Sequence, residues 1–147
     1  MNSLNLSRSA IRLLILFVSA LAIGCAHGPM SPQSTTLTLS GGQEVPPVTT
    51  KATGAGQITV HRDRSVTGTV SVFGMTPTAA HIHEGPAGVS GPVVIGLTKT
   101  SDTTFAVPAG AVLTEAQYAS LRAGNYYVNV HSAEYPDGEL RAQIKSP

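Results

Sequence analysis

His81 and His83 stand at i and i+2 in Ala80-His81-Ile82-His83-Glu84-Gly85, and His131 ends the run Tyr126-Tyr127-Val128-Asn129-Val130-His131. Neutral imidazole offers a lone pair near pH 7, so histidines brought together are natural metal donors. In a strand, successive side chains point to opposite faces, which puts His81 and His83 on one face, about 6 to 7 Å apart, and Ile82 on the other. Three such rings suit copper or zinc. If they converge, their ring nitrogens should come within about 4 Å of one another, because donors sit about 2.0 to 2.1 Å from one ion. A separation of about 8 Å or more would leave them as structural residues, each donating a ring N–H to a backbone carbonyl. Glu84, Asn129 and Tyr135 are further candidate donors, and Glu139 and Arg141 are candidates to orient an imidazole or a carboxylate. His27 and His61 complete the five histidines, the first in a segment without apolar pattern and the second beside the charged turn Arg62-Asp63-Arg64. Neither is expected at the site. No Ser/His/Asp arrangement and no phosphate-cradling glycine loop is legible.

The elements that must hold these rings read as short strands. Thr36-Leu37-Thr38-Leu39 alternates, and Ala55–His61 and Val66–Phe73 form a hairpin over Arg62–Ser65. The alternation of Thr69-Val70-Ser71-Val72-Phe73 leads toward the paired histidines. Gly85–Pro92, with three glycines and two prolines, reads as an irregular loop. Val93–Leu97 and Thr103–Val107 are further strand candidates. Thr114, with Gln117 three residues on, opens the only helical pattern, and Gly124 ends it. Tyr126–His131 is a strong strand with Tyr126, Val128 and Val130 facing the core and Tyr127, Asn129 and His131 opposite. Asp137-Gly138 then turns the chain into Glu139–Ile144. Seven or so short strands with Gly/Pro-rich connections predict an all-β, antiparallel sandwich or barrel with one short helix.

The chain has 147 residues, of which 12% are charged. Residues 1–24 read as a secretory signal: Arg8 and Arg12, then an apolar stretch from Leu13 to Ile23 too short to span a bilayer. Without them, the nine basic residues lose Arg8 and Arg12, leaving seven against eight acidic ones. No basic patch remains, which argues against nucleic acid as a partner. Leu21-Ala22-Ile23-Gly24-Cys25 ends in the only cysteine. It resembles the lipobox of bacterial lipoproteins, departing where Ala22 replaces the usual leucine. That resemblance implies a diacylglycerol anchor on Cys25, with Ala26 in the position read for outer-membrane sorting. Residues 25–35 are then a flexible tether, and 36–145 a single domain.

Four blocks, in order over about 105 residues, resemble the chordin-type (CHRD) domain family. They are Leu39-Ser40-Gly41 with Glu44-Val45-Pro46-Pro47-Val48; Ala80–Gly85 with Gly91-Pro92-Val93-Val94; Leu121–Gly124; and Tyr127–His131 with Tyr135–Arg141. Ala142 and Ser132 depart from the glycine and threonine commoner in the family. The resemblance implies a β-sandwich, immunoglobulin-like or similar to copper/zinc superoxide dismutase, and implies no reaction.

Three classes of function follow. The first is a lipid-anchored metal-binding protein of the bacterial cell envelope, probed first with copper because copper is handled outside the cytoplasm, with zinc as the other candidate. The second is an adhesion or binding module with structural histidines. The third is a copper-dependent redox enzyme, which the missing ligands for a second metal count against.

Overall fold

In a computed structural model that describes residues 32–145, the chain forms nine strands, one α-helix and a 3₁₀ turn at Gly41–Gln43. They are β1 (Gln33–Ser40), β2 (Thr53–Val60), β3 (Val66–Phe73), β4 (Pro77–Glu84), β5 (Val93–Gly96), β6 (Thr98–Lys99), β7 (Thr104–Ala106), α1 (Glu115–Arg122), β8 (Tyr126–Ser132) and β9 (Leu140–Ile144). All pairings are antiparallel, in the order β5-β4-β8-β9-β1-β2-β3-β7-β6. The two edge strands are joined through the single residue Leu97, whose N–H donates to the Ala80 carbonyl of β4. One sheet therefore curls back on itself, and its two halves face each other as the layers of a nearly closed barrel.

Alternation explains which face closes. Leu37 and Leu39, Ile58 and Val60, Val70 and Val72, Ala80 and Ile82, Tyr126, Val128 and Val130, and Leu140 and Ile144 are all buried in one apolar cluster with Phe105. Side chains of this size contribute about 1.5 to 3 kcal/mol each when fully buried. The expected core face of β8 is the observed one. The helix carries the expected N-terminal capping box between Thr114 and Gln117, and Gly124 follows it at φ 81°.

Two expectations are corrected. The paired histidines do not continue the strand that ends at Phe73: Gly74, at φ 76°, turns the chain into a separate strand, β4. Glycine takes that left-handed conformation without steric cost. The strand β1 begins at Gln33, which pairs with Val60, so the last residues assigned to the tether belong to the sheet. The two-residue β6 is too short to leave a periodic signal.

Candidate metal centre

The faces of β4, β8 and β9 that point away from the core carry a polar ladder. His81 lies opposite Asn129, which lies opposite Arg141, and His83 lies opposite Tyr127, which lies opposite Gln143. His131 stands one step along, opposite Ala79. A sheet face turned from the core is ordinarily wet, yet His83, Tyr127, Asn129 and Arg141 are buried. Connections from distant parts of the chain cover them. The Glu44 segment contacts Asn129, the loop Gly85–Pro92 covers His83 and Arg141, and the turn after β8 reaches His131.

The backbone of two of these connections fixes the imidazole tautomers. His83 Nδ1 lies 2.9 Å from the Gly91 carbonyl and His131 Nδ1 lies 2.9 Å from the Pro136 carbonyl. A carbonyl only accepts, so both Nδ1 atoms donate and both Nε2 atoms carry the lone pair. His81 Nδ1 is 2.9 Å from His131 Nε2 and must then be the donor of that bond. The proton on His81 Nδ1 is the one that an ion at this point displaces. His83 Nε2 is buried with no hydrogen-bond partner. One donor atom from each ring lies within 4.8 Å of those of the other two. That is wider than the expected 4 Å and far inside the 8 Å that would separate the rings. A shift of roughly an ångström brings the donors to tetrahedral spacing.

The rings are held neutral. Burial lowers the pKa of all three below the ordinary histidine value. The charges of His131 and His83 lower His81 further, Arg141 lowers His83, and the Gly91 and Pro136 carbonyls oppose the shift at His83 and His131. Neutral rings keep their lone pairs to more acidic pH than the ordinary value of about 6.5 predicts, and an ion held on them would stay bound correspondingly lower. Stability of the metal-free protein carries the same sign. Unfolded imidazoles titrate near 6.5 and the folded ones lower, so between those values the unfolded chain binds more protons. The contribution is present above about pH 6.5 and is lost as pH falls through the lowered folded values. Burial raises the Glu44 pKa, an effect of opposite sign. Melting temperatures of metal-free protein should fall between pH 7.5 and 5.5, and a flat or rising profile would contradict the assigned shifts.

Each candidate donor has a definite place. Glu84 shares the core-side face of β4 and its carboxylate accepts from the Tyr126 hydroxyl at 3.4 Å, so alternation turns it away from the rings. Asn129 lies among them. Tyr135 meets His131 only through its neighbour Pro136; its phenol sits by Glu134, whose charge raises its pKa, and its backbone carbonyl closes the turn. Glu139 touches no imidazole: it accepts from Ser132 Oγ at 2.5 Å and Thr50 Oγ1 at 2.7 Å, tying β8 to the segment before β2. Arg141 acts at one remove. Its guanidinium lies 3.4 Å from the centroid of the Tyr127 ring, and the Tyr127 ring stacks on His83 at 4.8 Å and 8°. Backbone carbonyls, rather than Glu139 or Arg141, hold the imidazoles. Cys25 lies outside the described residues. His61 bonds Thr67 on the β2–β3 hairpin, away from the site.

Sequence reasoning passed over Glu44, Tyr127 and Gly91. Tyr127 had a signal, since it alternates with Asn129 and His131. Glu44 accepts from Asn129 Nδ2 at 2.9 Å from a segment 85 residues away, and nothing in local periodicity marks it.

No curated protein and no solved structure matches the chain significantly. The CHRD domain family matches residues 35–144, three quarters of the chain and every strand but the start of the first. The chain therefore belongs to the CHRD domain family.

Proposed function

We propose that this protein holds a metal ion, copper before zinc, on His81, His83 and His131 at the surface of a cell envelope. The observation that carries the reading is His83 Nε2: a buried lone pair, fixed by the Gly91 carbonyl, without a partner and close to two other imidazoles. Leaving a buried acceptor unpaired costs about 1 to 3 kcal/mol, and an ion removes that cost. Metal analysis of protein purified without a histidine tag, followed by titration with copper and zinc, tests it. Uptake of one equivalent supports the reading, and no uptake at micromolar concentration refutes it.

A second reading, a binding module with structural histidines, draws on the His81–His131 hydrogen bond, which satisfies both rings without an ion. A redox enzyme is the third and has no observation of its own. The lipid anchor on Cys25 is proposed from the sequence alone. Cys25→Ser should release the protein from membranes or leave its precursor unprocessed, and a variant that still fractionates with membranes as the parent does rules the anchor out.

A further inference from the structure

Among the described residues, five buried side-chain nitrogens and oxygens lack a hydrogen-bond partner, and three of them belong to the ladder: His83 Nε2, Asn129 Oδ1 and Arg141 Nη1. The first two are bare acceptors. The amide of Asn129 is not free to turn over. Its Nδ2 donates to Glu44 Oε1 at 2.9 Å and to the Asp137 carbonyl at 3.4 Å, and a carbonyl never donates. Reversing the amide would face Oδ1 with those acceptors. Gly138 keeps the arrangement tight, since a Cβ there would lie 2.1 Å from Asn129 Nδ2 and 2.6 Å from Glu44 Oε1.

Asn129 is the cross-strand neighbour of His81 and lies two residues before His131 on the same face. It is also close enough to His83 to favour that ring's charged form, yet no hydrogen bond joins the two. Two bare acceptors side by side are satisfied together by a water that donates to both, by a shared proton or by a shared cation, and the convergence of His81 and His131 on His83 favours the cation.

We propose that Asn129 Oδ1 is the fourth donor, closing an N₃O site that selects a divalent ion. The inference rests on the three-histidine reading. Its consequences follow from donor type and count. An amide oxygen is a hard donor that suits divalent ions and offers nothing to monovalent copper, which prefers sulfur. Four protein donors leave no open coordination position, the pattern of sites that hold a metal rather than expose it to substrate. The protein is then a reservoir or a metal-stabilised fold, and not a centre of turnover.

The experiment compares the full chain with Asn129→Leu and Asn129→Asp, using Zn²⁺, Co²⁺ and Cu⁺ alone as probes. The expected result is intense visible absorption from four-coordinate Co²⁺ in the parent. Asn129→Leu, in which water can take the fourth position, should shift the Co²⁺ bands and lose roughly 10- to 100-fold in Zn²⁺ affinity, with Cu⁺ affinity unchanged. Asn129→Asp keeps an oxygen donor while losing the N–H bonds to Glu44 and Asp137, so it should keep the absorption. Parent-like spectra and Zn²⁺ affinity in Asn129→Leu overturn the inference while leaving the three histidines in place. Loss of the absorption in Asn129→Asp, with fold retained by circular dichroism, overturns it as well and assigns Asn129 to positioning through its N–H group. A parent that takes up neither Zn²⁺ nor Co²⁺ removes the three-histidine reading itself. Should Asn129→Leu fail to fold, Asn129→Asp still decides: a carboxylate donor in place of the amide must shift the Co²⁺ bands, and bands identical to the parent's overturn the inference.

Discussion

His83→Ala should lower the affinity for copper or zinc by at least about 100-fold, or roughly 2.7 kcal/mol. Among the three rings, His83 has its lone pair most completely prepared. The Gly91 carbonyl fixes its tautomer, the Tyr127 ring fixes its plane, and burial excludes competing water. A ligand ordered before binding loses little entropy on binding, so its removal costs nearly its whole interaction. The effect on the metal-free fold should be small. The variant gives up the Gly91 bond and the Tyr127 stack, but it also removes an unpaired buried acceptor. His61→Ala, on the β2–β3 hairpin, should leave affinity unchanged. Isothermal titration of both variants with the same metal stock reads the difference, and an affinity within threefold of the parent for His83→Ala would remove this ring from the site.

Gly91→Ala should destabilise the domain by about 2 to 4 kcal/mol. A Cβ at this position would lie 1.7 Å from the Glu84 carbonyl oxygen, so the backbone itself must move. The two strands leaving this loop are pinned: Glu84 N–H donates to the Pro92 carbonyl, and Gly91 N–H donates to the Tyr127 hydroxyl. Relief on one side therefore pulls on the other. For a domain of this size the loss corresponds to a fall in melting temperature on the order of 10 °C. The displaced Gly91 carbonyl also frees His83, so metal affinity should fall with stability. Gly42→Ala is the matched control, since nothing lies within 4 Å of a Cβ there. A thermal melt of Gly91→Ala within a degree of the parent would show that the loop absorbs the methyl group.

The parts of the fold that sequence makes legible are those where apolar and polar residues alternate. Val128 and Val130 point inward because polar residues separate them, and the same alternation puts Tyr127, Asn129 and His131 together on the other face. The i, i+2 spacing of His81 and His83 is read in the same way. Periodicity carries no information about which strands are neighbours. That β4 lies beside β8, and that His81 meets Asn129, follows from pairing across some fifty residues. The family resemblance bridged part of this gap by linking the blocks, without giving their distances. The covering loops were the least legible. Glu44 is a lone acid before two prolines in the sequence, and its role arises only because the first strand pairs with the last at Ser40 and Arg141. Glu139 and Arg141 read in the sequence as candidates to orient an imidazole or a carboxylate, and Arg141 faces the Glu44 carboxylate while Glu139 bonds Ser132 and Thr50.

The groups that do orient His83 and His131 are main-chain carbonyls, of Gly91 and Pro136. Replacing a side chain does not remove them, since every substitution keeps the carbonyl and can only move it, as Gly91→Ala would. A scan of this face would report the rings and the side chains around them, Tyr127 and Asn129 among them, but not the carbonyls, and would undercount what the site depends on. The same property shapes how the site can diverge. Side-chain replacements cannot delete the carbonyls one at a time, so drift in the tautomers has to come through the paths of two loops, by insertion, deletion or a change at glycine or proline. Backbone amide-to-ester exchange at the residues following Gly91 and Pro136, which weakens one carbonyl without altering any side chain, is the perturbation that addresses them directly.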